Sequence, residues 1–190
     1  MKIFISILTF ALFAVSCEKR APWAEELAKK DKYAEAITKL SQAKTEEDRF
    51  CALNAAETEA YNAGKKDEAG RYAAEQAGLL PKYRKNWNYG NAVHDINSVL
   101  GRIALSEGRT EDAKKFLLKS ADSDGSPQMN SFGPNMILAK ELLEKGEREA
   151  VLQYFKKCSR FWKGSHGELG EWTKQVEAGQ TPDFGANLLY

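Results

Sequence analysis

The sequence has few cysteines, histidines and prolines, and it carries no excess charge of one sign. Its 190 residues include 3 Cys, 2 His and 5 Pro, and 28 basic side chains stand against 27 acidic ones. His94, His166, Cys51 and Cys158 lack the close spacing of zinc ligands. A formal charge of +1 gives no basic face for nucleic acid. We therefore expect no metal, no cofactor and no nucleic-acid partner.

Motifs of known catalytic sites are missing too. The chain contains no H-E-x-x-H, no glycine-rich phosphate loop and no C-x-x-C. His94 stands beside Asp95, but neighbours on a helix point to different faces, so we expect no catalytic pair there. The sequence therefore predicts a protein that is not an enzyme.

Strand-like alternation of apolar and polar residues is absent as well, whereas helical spacing recurs along most of the chain. The pattern predicts an all-α fold. The expected helices lie near residues 45–64, 66–80, 90–107, 109–121, 134–145, 147–162 and 169–178, preceded by a helix pair with a turn at Asp31. The segment Asp122–Asn135 is predicted to be a loop whose Phe132 enters the core. Tyr83, Trp87 and Tyr89 are expected to pack against adjacent helices.

The N-terminus is expected to lie outside this fold. Lys2 is followed by the apolar stretch Ile3–Val15, which is shorter than the roughly 20 residues that span a bilayer and suits a secretory h-region. The residues Ala14–Cys17, at the end of this stretch, resemble the lipobox of bacterial lipoproteins. The resemblance implies a signal peptide over residues 1–16, a lipid on Cys17 and a tether over residues 17–22. The alternative is an ordinary signal peptide cut nearby, with Cys17 a spare thiol.

The residue after the lipobox indicates where such a lipoprotein would reside. Glu18 stands where inner-membrane lipoproteins of enteric bacteria carry Asp. By that analogy we expect a lipid-anchored protein of the outer membrane that faces the periplasm. Cys51 and Cys158 would then lie in an oxidising compartment, where they could pair. Both stand among small or apolar residues on predicted helices, which favours buried free thiols over a disulfide.

Small residues recur at matched places around four aligned turn positions. The segment Gly90–Ala121 carries Gly101 mid-helix, which is unfavourable in a helix and indicates that another helix comes close. Its return helix carries the small Ala113. Five positions after each turn residue (Asp31, Gly64, Gly108 and Gly146) stands a small or medium apolar one: Ala36, Ala69, Ala113 and Val151.

This pattern resembles the tetratricopeptide (TPR) helix–turn–helix unit. The resemblance implies a right-handed TPR-like α-solenoid of about four helix pairs within residues 23–179, including a C-terminal helix. Residues 180–190 would form an irregular tail that packs on the last repeat. The alternative is an irregular helical bundle in which the spacing of small residues is accidental.

One polar stripe on the best-matching unit is the candidate binding surface. Asn91, Asp95, Ser98 and Arg102 follow one another at spacings of four, three and four, so they share one face of a helix. Amide, hydroxyl and guanidinium groups suit a peptide backbone or carboxylate. In TPR-like arrays the first helix of each pair lines the concave face, and the resemblance therefore adds Asn54, Tyr61, Lys140 and Glu144.

The expected function is the binding of another protein or peptide, in a scaffold or assembly role, by a lipid-anchored envelope protein. Two alternatives stay open. One is a small envelope hydrolase that uses His94 or a cysteine, and the other is a structural module of a complex encoded by neighbouring genes. The sequence leaves the partner and the oligomeric state undefined.

Overall fold

The structure of this chain is a computed structural model that describes the backbone of residues 22–189 and the side chains of residues 31–189. The lipobox and Cys17 lie outside the described residues. Within residues 22–189 all regular structure is helical and no strand is present, which confirms the all-α prediction for that part. No helix found there is long and apolar enough to cross a bilayer.

The described part contains nine α-helices and a short 3₁₀ helix at its end. They are α1 (Pro22–Ser41), α2 (Glu46–Asn62), α3 (Lys66–Leu79), α4 (Tyr89–Ser106), α5 (Thr110–Ser120), α6 (Pro127–Phe132), α7 (Ile137–Glu144), α8 (Arg148–Cys158), α9 (Glu168–Glu177) and the 3₁₀ helix Gly185–Leu188. Consecutive helices pack against each other from α1 to α5, and α2 also contacts α4. Beyond α5, helix α8 packs on α5, α7 and α9.

The turn predicted at Asp31 is wrong, because α1 continues through it from Pro22 to Ser41. Proline stands only at the first position of this helix, where it is tolerated, and no glycine interrupts it. A lone aspartate costs a helix too little to end it. In the described residues, three helix pairs are joined by a short turn that contains a left-handed glycine: α2 with α3, α4 with α5, and α7 with α8.

The three turns within these pairs share one backbone geometry. Each places a glycine in the left-handed region, with φ of 77° at Gly64, 78° at Gly108 and 87° at Gly146. The residue after each glycine donates its N–H to the carbonyl five positions earlier, at 2.9, 2.9 and 3.0 Å (Lys65 to Ala60, Arg109 to Ala104 and Glu147 to Leu142). This is the Schellman arrangement, which satisfies carbonyls at a helix end and favours glycine.

The close helix approach predicted at Gly101 is confirmed. A Cβ atom at this position would lie 2.4 Å from Cδ2 of Leu138 on α7 and 3.1 Å from Cβ of Phe116 on α5. The small residues Ala113 and Val151 of the return helices are fully buried. A side chain larger than hydrogen at position 101 would therefore push α4 away from its neighbours.

The segment predicted as a loop over residues 122–135 contains the short helix α6. Ser126 caps it by accepting the N–H of Met129 at 3.0 Å, and Pro127 occupies its first turn. Met129 is buried, whereas Phe132 is 71% exposed, so the prediction of Phe132 in the core is wrong. The helix directs Met129 inward and leaves its last residue at the surface.

The aromatic residues near the start of α4 also differ in how far they are buried. Tyr83 stacks on Phe50 of α2 with ring centroids 4.6 Å apart, and Tyr89 is partly buried. Trp87 is 55% exposed, so its predicted packing against adjacent helices is wrong. The next residue, Asn88, is buried instead.

The tail after α9 returns to the aromatic residues of α8 and α9. Phe184 is buried, with its ring centroid 4.9 Å from that of Trp172 and 6.2 Å from that of Phe155. The Asn187 side chain donates to the carbonyls of Phe132 and Pro134 at 3.0 Å each. The backbone carbonyl of Asn187 accepts the N–H of Met136. These bonds bring the 3₁₀ helix beside the start of α7.

Candidate functional site

A groove runs between α2, α4 and the start of α7, and we call it the α2–α4 groove. Its larger part encloses about 480 Å³ and its smaller part about 230 Å³. The two parts share Asn54, His94, Asp95 and Asn135. The larger part has an apolar wall made by Ala55, Val99, Ile137, Leu188 and Leu189. Its polar rim consists of Lys32, Asn54, Thr58, Glu59, Asn62, His94, Asp95, Ser98, Arg102 and Asn135.

Helical spacing places these side chains on facing stripes. On α2, Asn54, Thr58 and Asn62 follow at intervals of four residues, and α4 presents Asp95, Ser98 and Arg102. The two helices also keep a constant register. The Asn54 amide donates to Asp95 at 2.6 Å, and the Tyr61 hydroxyl donates to the Arg102 carbonyl at 3.2 Å, both across 41 residues of sequence. A constant separation means that α2 and α4 run parallel.

Most of the residues predicted to bind a partner come together in this groove. Asn54, Asp95, Ser98 and Arg102 line its larger part, and Asn91 joins Asn54 and Asp95 in the smaller one. The remaining three line neither part (Tyr61, Lys140 and Glu144). For all eight residues the binding role stays a prediction.

Tyr61 contacts the groove residue Arg102 without lining the groove itself. Helix α7 faces the groove with other residues than the predicted Lys140 and Glu144. The Arg102 guanidinium lies 4.3 Å from the centroid of the Tyr61 ring. Helix α7 turns Ile137 into the groove and Glu141, one helical turn later, toward Arg102. Lys140 and Glu144 occupy the adjacent stripe of the same helix.

Arg102 is bound inside the protein and does not stand free for a ligand carboxylate. Its Nε lies 3.0 Å from Glu141, and its Nη1 donates to Asn62 at 3.2 Å. The two charged side chains are 16% and 29% exposed. Burial raises the pKa of Glu141, and the nearby Arg102 opposes that shift. The predicted use of Arg102 to grip a carboxylate would therefore require this ion pair to open.

A chain of buried amides holds the α2 wall in place. Asn54 accepts from the Gln76 amide of α3 at 2.7 Å and from the Asn88 amide at 2.6 Å, and it donates to Asp95. Gln76 also donates to the Phe50 carbonyl at 2.7 Å. Gln76 and Asn88 are buried, so these bonds form away from water and fix the orientation of Asn54.

His94 and Asp95 do contact each other, contrary to the expectation from helix geometry. The His94 Nδ1 atom lies 3.0 Å from an Asp95 carboxylate oxygen, because the short aspartate side chain bends back toward the ring. The Nε2 atom lies 3.2 Å from the Asn135 carbonyl and 3.3 Å from the Tyr154 hydroxyl. Both ring nitrogens therefore face groups of the protein, and His94 is buried.

Neither described cysteine has the surroundings of a nucleophile. Cys51 and Cys158 are free thiols, as predicted, but only Cys158 is buried and Cys51 is partly exposed. Burial raises the pKa of both, in Cys158 to about 12, so the reactive thiolate form is disfavoured. Among the described residues, no three His, Cys, Asp or Glu side chains are grouped so that they could hold a metal ion.

Glu57 is the residue of this region that sequence reasoning missed. It is fully buried on α2, and neither of its carboxylate oxygens has a hydrogen-bond partner. Burial, and then the negative charge of Asp95, raise its pKa well above the usual range of a glutamate. A signal was available, because Glu57 stands seven residues before the turn glycine Gly64, at the position that Gly101 occupies before Gly108.

Residues 22–189 form an all-helical fold with a cleft that is lined by both apolar and polar side chains. Comparison with protein-family models, with curated proteins and with solved structures found no match. The function must therefore be argued from the groove itself.

Proposed function

We propose that this chain is a lipid-anchored protein of the bacterial cell envelope that holds a segment of another protein or a peptide in the α2–α4 groove. The observation that carries the proposal is the groove's composition. Its apolar wall and amide-rich rim match the two requirements of an extended segment, which buries alternate side chains and hydrogen-bonds through its backbone.

The rim can bond a peptide backbone even though several of its groups already have internal partners. A carboxamide has two donor hydrogens and two acceptor lone pairs. Asn54 makes three internal bonds and keeps one donor hydrogen for a ligand, and Asn62 makes two internal bonds. Asn54, Asn62 and Asn135 line the larger part of the groove, and Asn91 extends the row into the smaller part. Because the amide chain from Gln76 and Asn88 orients Asn54 in advance, less ordering remains to be done on binding.

Two features of the helix pairs support the proposal of a TPR-like arrangement, which would serve the same function. The three turns at Gly64, Gly108 and Gly146 share one geometry, and α2 and α4, the first helices of two successive pairs, run parallel. Stacked pairs of this kind present their first helices on one face, where a segment can lie across them. We propose three such pairs, with α1 and α9 at the two ends.

Binding is favoured over the alternative of a hydrolase. A general base must reach the proton that it takes from a nucleophile. The ring nitrogens of His94 face Asp95, Asn135 and Tyr154, and no cysteine accompanies them in the lining of the groove. A module that serves a complex of neighbouring gene products agrees with the proposal, since such a complex would supply the bound segment.

The groove assignment is tested with two arginine substitutions on α4. Ser98 lines the groove, so Ser98→Arg would fill it, whereas Ser106→Arg places the same side chain at an exposed position of the same helix. Proteins captured from a detergent extract with wild type and Ser106→Arg, and lost with Ser98→Arg, would support the groove. Identical capture by all three proteins would contradict it.

The lipid anchor is tested separately. Cells supplied with labelled palmitate should label the wild-type protein and leave Cys17→Ala unlabelled, and density fractionation should place the wild type with outer-membrane vesicles. A labelled Cys17→Ala protein, or a mature chain that retains residues 1–16, would contradict the lipoprotein part of the proposal without affecting the groove.

A further inference from the structure

We propose that the α2–α4 groove selects a segment with a lysine side chain, whose ammonium group binds at Asp95 near the buried Glu57. This inference rests on the proposed function, because it names the chemistry of the segment that the same groove holds.

Glu59 and Asp95 are carboxylates of the groove that form no ion pair with a lysine or arginine of the described residues, and of the two only Asp95 lines both parts of the groove. The contacts of Asp95 are the Asn54 amide at 2.6 Å and the His94 ring at 3.0 Å. Its side chain is 29% exposed and lines both parts of the groove. Arg102 is neutralised by Glu141, and the remaining pair at the rim, Lys32 and Glu59, balances in charge.

Glu57 adds a second, buried carboxyl group close enough to Asp95 for the charge of Asp95 to act on it. It lies three residues after Asn54 and four before Tyr61, whose partners on α4 are Asp95 and Arg102. The parallel register therefore directs Glu57 at the stretch of α4 between these two residues, which is the stretch that forms one wall of the groove. Both oxygens of Glu57 are buried and have no hydrogen-bond partner.

Packing alone does not account for a carboxyl group at this place. The equivalent position of the next pair is Gly101 and that of the third pair is Ala139, each buried where helices meet. A glutamate there leaves a buried polar group unsatisfied, which is unfavourable. A cation held at Asp95 would offset this, because its positive charge would act on both carboxyl groups through a medium of low dielectric constant.

The shape of the groove suits the rest of a lysine side chain. Val99, Ile137 and Leu188 form an apolar wall beside Asp95. A lysine buries its aliphatic stem along such a wall and keeps its ammonium group at a polar end. The larger part, about 480 Å³, has room for this side chain and the adjoining backbone.

Binding of a cation at Asp95 should also be coupled to proton release from Glu57. Burial and the charge of Asp95 favour the protonated form of Glu57, and a nearby ammonium group favours the ionised form. The titratable groups on the helices packed against this stretch of α2 are Lys32 and Tyr33 of α1, Tyr72 of α3, and His94, Asp95 and Arg102 of α4. Of these, Asp95 is the charge that acts on Glu57.

The test uses three pools of fluorescent peptides, acetylated and amidated at their ends, with uncharged flanks and a central lysine, norleucine or glutamate. Norleucine keeps the lysine stem and lacks its charge. We expect wild type to bind the lysine pool about tenfold or more tightly than the norleucine pool, the size of one charged hydrogen bond. Asp95→Asn should remove this preference, whereas Glu177→Gln, which removes an exposed carboxylate of α9 outside the groove, should retain it.

Equal binding of the lysine and norleucine pools to wild type would overturn this inference and leave the proposed function standing. If no pool binds and Ser98→Arg captures the same proteins as wild type, the proposed function itself fails. Should Asp95→Asn fail to fold by circular dichroism, the wild-type comparison of lysine with norleucine still decides.

The role of Glu57 has its own readout. Calorimetric titration of the tightest lysine peptide in two buffers of different ionisation enthalpy measures the protons released on binding. Wild type should release protons, and Glu57→Gln, which has no proton to lose, should release fewer while keeping its preference for lysine. The same release from both proteins would overturn the role of Glu57.

Discussion

The two halves of this molecule are held together by different kinds of core. In α1–α4 most of the buried apolar residues are small, as in Ala56, Ala60, Ala69, Ala73 and Ala92. The half from α5 to the tail also buries alanines such as Ala113 and Ala121, but its core contains six aromatic residues (Tyr154, Phe155, Phe161, Trp162, Trp172 and Phe184). The half with the small residues also buries Glu57, Gln76, Asn88 and His94.

This difference separates the tasks of stability and recognition. Aromatic side chains bury much more apolar surface than alanine, so the C-terminal half contributes the larger share of hydrophobic stabilisation. Alanine lets helices approach closely and leaves room for polar side chains between them. The groove opens along α2 and α4, on the polar side of the boundary, while α7 and the tail close it from the aromatic side.

The largest expected effect is the removal of an aromatic ring from the C-terminal half. The ring centroid of Trp172 lies 4.9 Å from that of Phe184, 5.6 Å from that of Trp162 and 6.1 Å from that of Phe155. Trp172→Ala should lower the free energy of unfolding by about 3–5 kcal/mol, measured by urea denaturation, because it leaves a large cavity. Trp87→Ala, at an exposed position, should change it by less than about 0.5 kcal/mol. Equal losses from both variants would contradict the comparison.

The boundary between the halves should respond to overpacking. Gly101 of α4 faces Leu138 of α7 so closely that a Cβ atom would lie 2.4 Å from it. Gly101→Leu should therefore cost about 1–3 kcal/mol in thermal or urea unfolding. Gly78→Ala is the control, since a Cβ at Gly78 meets nothing within 4 Å, and it should stabilise α3 by about 0.5–1 kcal/mol. An unchanged stability of Gly101→Leu would mean that α4 and α7 do not meet there.

The buried Glu57 of the N-terminal half should make the free energy of unfolding depend on pH. The pKa of Glu57 is raised in the folded protein, so its contribution is fully present below the pKa of the unfolded chain and is lost as the pH rises toward the folded value. Glu57→Gln removes this loss and should be more stable than wild type by about 1–2 kcal/mol at about pH 8. The two proteins should converge at about pH 4, where both side chains are neutral.

Urea unfolding of both proteins across this pH range is the measurement. A difference that stays constant from acid to alkaline pH would contradict the raised pKa. Glu177→Gln, which alters an exposed carboxyl group of α9, serves as the control for a general loss of negative charge.

The smallest expected effect concerns a helix end in the same half. Thr45 caps α2 with a capping box, in which its hydroxyl accepts the Asp48 N–H at 3.0 Å and its own N–H donates to the Asp48 carboxylate at 3.1 Å. Thr45→Ala should cost about 1 kcal/mol by thermal unfolding, and Thr45→Ser should retain most of that stability. Equal losses from both substitutions would show that the hydroxyl does not cap α2.

Much of the fold could be predicted because its signals are local. The spacing of apolar residues indicated helices, and Gly64, Gly108 and Gly146 marked turns that require a left-handed residue. Asp31 was misleading, because alignment by repeat length assigned it a turn that its chemistry does not impose. Phe132 was misleading too, since its side chain follows from the direction of a six-residue helix that the sequence did not indicate.

The candidate site was predictable on one helix and less so across helices. The stripe of Asp95, Ser98 and Arg102 follows from spacing along α4 alone. The pairing of Arg102 with Glu141 spans 39 residues, and it depends on how α7 rotates after α6, which no local pattern determines. The burial of Glu57 likewise depends on how α2 and α4 approach each other.

The proposed function requires that another protein chain occupies the α2–α4 groove. A photo-crosslinking amino acid at Thr58, on the α2 wall of the groove, tests it in living cells, with Lys115 on the exposed side of α5 as the control position. We predict a discrete adduct from Thr58 that disappears when Ser98→Arg fills the groove, and no such adduct from Lys115. An adduct that persists with Ser98→Arg, or no adduct from Thr58, would contradict the account.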